Sequence, residues 1–76
     1  MKMMTPDDFE QLKSALHGTV SGLNLKPSDV GSEREMWNVL HLSRQQGRVD
    51  LIALYRDYND AHILTAMRRI FEETTQ

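Results

Sequence analysis

Cysteine is absent from this chain of 76 residues. Neither disulfide bonds nor zinc–thiolate sites can therefore reinforce its core. A domain this short buries only about 60% of the surface that its unfolded chain exposes, so its stability is marginal without further support. We expect residues 1–76 to form one small domain, stabilised by efficient helix packing or by self-association.

The chain also lacks an excess of positive charge and a long apolar run. Its net charge is −2, and lysine and arginine do not outnumber the acids in residues 1–30, 31–47 or 48–76, which argues against nucleic-acid binding through bulk charge. The longest strongly apolar run covers residues 51–54, far short of the roughly 20 residues of a membrane helix. The start of the chain, "MKMMTPDDF", does not have the pattern of a signal peptide. We expect a soluble, cytoplasmic protein without a membrane partner.

The spacing of the apolar residues predicts helices with recognisable starts. Thr5 before Pro6 is typical of a helix N-cap, Ser32 and Glu35 have the spacing of a capping box, and Asn59 is a third cap residue. Gly18 and Gly22 indicate fraying at the end of the first helix, and Gly47 is a plausible terminator of the second. The predicted helices, the third of them short, cover residues 6–20, 33–46, 50–57 and 60–73.

These segments predict an all-α fold, a compact bundle of four helices whose last two are joined by a tight capped turn. A connector, residues 21–31, contains proline and glycine but also apolar residues, so we expect it to be pinned to the core. In the third helix, the apolar side chains that follow Asp50 share one broad side with Tyr58. The predicted core residues are Trp37, Leu40, Leu54, Ile63, Met67 and Phe71.

The second predicted helix has more apolar surface than one buried face requires. Its apolar residues, from Met36 to Leu42, spread over an arc of roughly 220°. We expect the surplus, Trp37, Val39 and Leu42, to contact another protein or a second copy of the chain in a homodimer. The alternative is that Leu23, Leu25 and Val30 of the connector fold over that surface and leave a monomer.

The polar cluster Asp57, Asn59, Asp60 and His62 raises the question of a metal site. A calcium-binding loop that starts at Asp57 would have Ala61 at its third ligand position, His62 in place of the glycine, and Arg68 in place of the distal glutamate. The histidines, one in each of three helices, lack the paired spacing of zinc ligands. We expect no metal and no cofactor. Since neither a Ser/His/acid grouping nor a glycine-rich phosphate loop is present, we also expect no enzymatic activity.

A helix-turn-helix over residues 49–70 is the alternative function. Ala53, Ile63 and Ala66 match its small and inner positions, whereas Asp57 and Tyr58 stand where glycine and an aliphatic residue are usual. In this alternative the chain is a DNA-binding transcriptional regulator that acts as a symmetric dimer. The residues that would face DNA are Asn59, His62, Thr65, Arg68 and Arg69.

The segment "YRDYNDAHILTAMRRIF", with the preceding "GSEREMW", resembles small proteins encoded by bacteriophages and prophages of enteric bacteria, a family of unknown function. The resemblance implies a compact helical fold and a location inside a bacterial host cell. It implies no activity and no site residues. The leading hypothesis is a small, non-enzymatic interaction module that acts on a host or phage protein, because the second helix has surplus apolar surface and catalytic, metal and basic signatures are missing.

Overall fold

Four helices follow one another in the computed structural model, which describes residues 4–74. They are α1 (Pro6–Gly22), α2 (Glu33–Gln45), α3 (Leu51–Asp57) and α4 (Asp60–Thr74). A 3-10 turn, Pro27–Asp29, lies in the connector between α1 and α2. Since residues 4–74 contain no strand, the predicted all-α bundle with a short third helix is confirmed.

The helix starts are fixed by side chains that accept hydrogen bonds from otherwise unpaired backbone N–H groups. Thr5 Oγ1 accepts from the N–H of Asp8 at 3.2 Å, and Asn59 Oδ1 accepts from the N–H of His62 at 3.0 Å. Ser32 and Glu35 form a complete capping box, each side chain bonded to the other's N–H. Such caps stabilise a helix by about 1 kcal/mol each. The predicted caps are confirmed.

Helix α1 passes through Gly18 and ends at Gly22, two residues beyond the predicted boundary. It stops there because Asn24 adopts the left-handed conformation, with φ 56°. The N–H of Leu25 then donates to the carbonyl of Val20 at 3.0 Å, which closes the end of the helix. Val20 belongs to the core and Leu25 packs against it, so this cap also directs the connector back toward the core.

Gly47 ends α2 in the same way, as predicted. Its φ is 72°, and its N–H donates to the carbonyl of Arg44 at 2.9 Å. The N–H of Arg48 donates to the carbonyl of Ser43, also at 2.9 Å. These two bonds satisfy carbonyls that the helix leaves without partners and turn the chain toward α3.

One apolar cluster lies between α1, α2 and α4, with contributions from α3 and the connector. Its fully buried large side chains include Leu12, Leu16, Leu40, Ile63, Met67 and Ile70. Of the predicted core residues, all but Trp37 are buried, and Trp37 packs at the edge of the cluster with part of its ring exposed.

Val39 was expected at a partner interface, and this expectation is wrong. It belongs to the buried stripe of α2 and is only 2% exposed. Val30 of the connector is buried in the same cluster, whereas Leu23 stays 43% exposed. The wide apolar arc of α2 is therefore largely core, because the helix is packed on more than one side.

Tyr58 joins the turn between α3 and α4 to the start of α1. Its ring is buried, and its hydroxyl accepts from the N–H of Thr5 at 3.1 Å and donates to Asp8 Oδ2 at 2.7 Å. The residue thus ties together segments that lie 50 or more positions apart in sequence. It fixes where the short helix α3 lies relative to α1.

Candidate interaction surface

Helix α3 divides its apolar side chains between the core and solvent. Leu51 and Leu54 are buried, whereas Ile52 is 72% exposed and Tyr55 is 44% exposed. Residues three apart lie on the same side of a helix, so Ile52 and Tyr55 are neighbours on its outer side. The broad apolar side of this helix is therefore buried at Leu51 and Leu54 and exposed along its edge at Ile52 and Tyr55.

Ile52, Tyr55 and Arg56 form what we call the α3 surface. The Arg56 side chain is 75% exposed, and its Nε lies 3.6 Å from Asp57 Oδ1. An exposed ion pair of this kind contributes little to stability, so the guanidinium remains available to another molecule. The surface thus combines an aliphatic side chain, a tyrosine and an arginine. Tyrosine and arginine are common among the residues that contribute most of the binding energy in protein–protein interfaces.

The α3 surface extends toward the first turn of α4 through Tyr55. Partial burial raises the pKa of the Tyr55 phenol, and the negative charge of Asp60 raises it further. Tyr55 is therefore a neutral hydrogen-bond donor at physiological pH. Leu64, one turn after Asp60, packs on the core with part of its side chain exposed.

The short helix holds these side chains in a defined orientation. Asp50 Oδ1 accepts from the N–H groups of Ile52 and Ala53 at 2.9 and 3.3 Å and thereby caps α3. At the other end, the N–H of Tyr58 donates to the carbonyl of Leu54 at 2.8 Å. With both ends capped and two leucines in the core, α3 presents its outer side on a fixed backbone.

The structure does not bring Trp37, Val39 and Leu42 together as one surface. Val39 is buried, and Trp37 and Leu42 are each partly exposed. Five helical residues correspond to a rotation of about 140° between these two side chains. They consequently flank the buried stripe of α2 on opposite sides.

The arginines of the predicted DNA-facing group are engaged in contacts within the chain. Arg68 pairs with Glu33 at the start of α2. The Nε atom of Arg69 lies 3.4 Å from Glu73 Oε1, and its guanidinium lies 4.7 Å from the centre of the Phe9 ring. Both cations therefore link α4 to neighbouring groups and already have partners of negative or aromatic character.

The other members of that group have local structural roles. The Asn59 side chain caps α4, and Thr65 Oγ1 donates to the carbonyl of Ala61 at 2.8 Å. His62 is partly buried. Ile63 and Ala66 are buried, as the helix-turn-helix pattern requires, but a capped pair of helices requires the same.

Among residues 4–74, no three histidine or acidic side chains converge on a possible metal position. Within the same range, no helix is both long enough and apolar enough to cross a membrane.

A shallow depression of about 300 Å³ lies between the connector and α4. Val30, Met36 and Phe71 form its apolar floor, with Arg68 and Glu72 at its edge.

Sequence reasoning did not single out the α3 surface, because it placed the apolar residues of the short helix on one broad side without separating a buried part from an exposed part. The available signal was positional. Leu51, Leu54 and Tyr58 recur at spacings of three and four, which leaves Ile52 off that stripe.

Comparison of the chain with protein-family models, with curated proteins and with solved structures found no match.

Proposed function

We propose that this chain is a small, non-enzymatic interaction module that binds another protein through the α3 surface. The observation that carries the proposal is the exposure of Ile52 and Tyr55 on a helix whose other large apolar side chains are buried. Burying an exposed isoleucine side chain is worth about 1.5–3 kcal/mol, which a partner would gain on binding.

The rigidity of α3 supports this function. Because both helix ends are capped and Leu51 and Leu54 lie in the core, little conformational freedom of the backbone is lost on binding. Such preorganisation raises affinity for a given buried area. Arg56 and the Tyr55 hydroxyl add polar contacts at the edge of the apolar pair, where they orient a partner.

The partner that we propose is a protein of the bacterial cytoplasm, encoded by host or phage. We choose it because part of the chain resembles phage and prophage proteins. A second copy of the chain is the other candidate. In a symmetric homodimer, two α3 surfaces would meet face to face, with each Arg56 opposite the acidic groups Asp57 and Asp60 of the other chain. In this arrangement Ile52 and Tyr55 take the interface position that Val39 cannot occupy.

Capture from a bacterial lysate tests the proposal with matched variants. The double substitution Ile52→Ser and Tyr55→Ser removes the apolar pair without opening the core, since both side chains are exposed. Leu23→Ser is the control, because Leu23 is about as exposed as Tyr55 but lies at the end of α1. We expect a protein retained by the wild type and by the control variant to be lost from the double variant.

Light scattering at tens of micromolar completes the test by detecting self-association. A mass near 8.8 kDa identifies the monomer, and a mass twice as large that returns to 8.8 kDa in the double variant identifies a dimer through α3. If the wild type is monomeric and the double variant retains the same lysate proteins as the wild type, the α3 surface is not the binding site.

A further inference from the structure

The solvent-facing side of α2 consists of polar, charged and aromatic side chains. Residues spaced by three, four and seven positions bring together arginine, aromatic and amide side chains on this side. We call this set the α2 outer face; it comprises Arg34, Trp37, Asn38, His41, Arg44 and Gln45.

The acids of α2 are concentrated in its first turn and have partners there. Glu33 pairs with Arg68, and the Glu35 carboxylate accepts from the N–H and hydroxyl of Ser32 in the capping box. From residue 36 to residue 49 the sequence has no acid. Over the part of the chain that the structure describes, Arg34 and Arg44 take part in none of the ion pairs. They therefore give this side of α2 a local positive charge.

Two rings lie between these cations. The Trp37 and His41 ring centres are 6.4 Å apart, with the ring planes tilted by 33°. Trp37 packs on the core through one part of its ring and leaves another part exposed. Arg34 and Arg44 are ten residues apart, about 15 Å along the helix axis. The rings thus lie on a stretch of helix with a cation toward each end.

This chemistry fits a nucleic acid better than a protein. Protein interfaces have an extended apolar centre, and on the α2 outer face Trp37 is the sole large apolar side chain. Nucleic-acid interfaces are polar and positively charged, and proteins that bind single strands stack bases on aromatic rings beside cations that contact phosphates. The face has both features.

We propose that the α2 outer face binds single-stranded nucleic acid. A base stacks on the exposed part of Trp37 beside His41, Arg34 and Arg44 contact phosphates on either side, and the Asn38 and Gln45 amides donate to and accept from base edges. This surface is separate from the α3 surface and from the α3–α4 pair of the helix-turn-helix alternative. Because the whole chain has a net charge of −2, binding depends on these local cations and is weak at high salt.

The sole tryptophan of the chain makes the test direct. We expect a short oligothymidylate to quench Trp37 fluorescence at about 50 mM salt, since a stacked base contacts the indole. Two phosphate contacts on a single strand predict a slope of about −1.4 for the logarithm of the binding constant against the logarithm of salt concentration. A duplex of the same length should bind more weakly, because its bases are already stacked on each other.

Charge variants assign the contacts. Arg34→Gln and Arg44→Gln should each make the salt slope shallower by about 0.7 and weaken binding. Lys26→Gln in the connector is the control, because it removes an exposed cation that belongs to neither proposed surface and should leave both quantities unchanged. Trp37→Phe, followed by the anisotropy of a labelled oligothymidylate, should weaken binding several-fold.

Three results with nucleic acid would overturn the proposal. These are the absence of quenching at low salt, an equal loss of affinity in Lys26→Gln and Arg44→Gln, and equal affinity for single strand and duplex. Polyglutamate serves as a second anionic probe. If it binds the face as tightly as the oligothymidylate does, the face recognises an acidic protein segment and the nucleic-acid assignment is wrong.

Discussion

Two glycines at helix ends differ in backbone conformation, and this difference predicts opposite effects of the same substitution. Gly47 has φ 72°, a conformation that costs an L-residue about 1–2 kcal/mol. Gly22 lies within α1, and a Cβ added there would meet no atom within 4 Å. We expect Gly47→Ala to lower the free energy of unfolding by about 1 kcal/mol and Gly22→Ala to raise it by about 0.5–1 kcal/mol. Urea denaturation of both variants measures this, and equal effects at the two positions would contradict the assignment.

Glu73 predicts a pH dependence at the scale of one side chain. The hydrogen bond from Lys13 is the largest of the causes that place the pKa of Glu73 below its ordinary value. Desolvation opposes it, and the charges of Lys13 and Arg69 lower the pKa further. A carboxyl group whose pKa is lower in the folded than in the unfolded state stabilises the fold above the unfolded value. That contribution is lost as the pH falls through the folded pKa.

The variant Glu73→Gln isolates this effect. We expect the difference in unfolding free energy between wild type and Glu73→Gln to be constant near neutral pH and to shrink as the pH falls through the acidic range, where the Glu73 carboxyl becomes protonated. Because the ion pairs are exposed, the difference should be small and should shrink further at high salt. Urea denaturation at several pH values checks this, and a difference that grows on acidification would contradict it.

At the scale of helices, α1 and α2 meet at a buried polar contact. Thr19 and Ser43 are fully buried, their hydroxyl oxygens are 2.6 Å apart, and each also lies within hydrogen-bond distance of the carbonyl four residues earlier in its own helix. Whichever hydroxyl donates to the other, the second proton goes to a carbonyl. Both hydroxyls are thus satisfied where the helices approach each other.

A double-mutant cycle tests this contact. We expect Thr19→Val and Ser43→Ala each to lower the free energy of unfolding by about 1–2 kcal/mol, because each leaves the other hydroxyl with fewer partners in the core. The double variant should lose less than the sum, since no buried hydroxyl then remains. Thr65→Val is the control, because Thr65 makes the same hydrogen bond to the preceding turn on an exposed side of α4. Strictly additive effects would show that the two hydroxyls act independently.

The elements also show how far the sequence predicts the fold. The starts of α1, α2 and α4 follow from local cap chemistry at Thr5, Ser32 and Asn59, so sequence alone locates them. The end of α1 was misplaced because a glycine disfavours a helix without stopping it, whereas the left-handed Asn24 does stop it.

The site was harder to predict than the fold because exposure depends on distant packing. Val39 and Ile52 are both β-branched residues in amphipathic segments, yet one is buried and the other is 72% exposed. Whether such a side chain is buried depends on where the connector and the neighbouring helices pack. The local spacing of apolar residues does not predict those positions. Thr19 and Ser43 are likewise of residue types that usually face solvent. They are buried because α1 and α2 approach each other at these positions.

At the scale of the whole molecule, the bundle presents two surfaces of different chemistry. The α3 surface offers exposed apolar side chains, and the α2 outer face offers cations and aromatic rings. The core between them is continuous from Leu12 to Phe71, so each surface rests on packed helices. Substitutions on either surface should therefore change binding with little effect on stability.

The central claim, that the α3 surface contacts a partner protein, is tested most directly by photo-crosslinking. A photoreactive phenylalanine analogue is placed at position 52 and, as a control, at position 14, an exposed site on α1. After irradiation in bacterial lysate, we expect position 52 to give a discrete adduct, either to another protein or to a second copy of the chain, and position 14 to give none. Absence of an adduct at position 52, or the same adducts from both positions, would contradict the assignment of α3 as the binding surface.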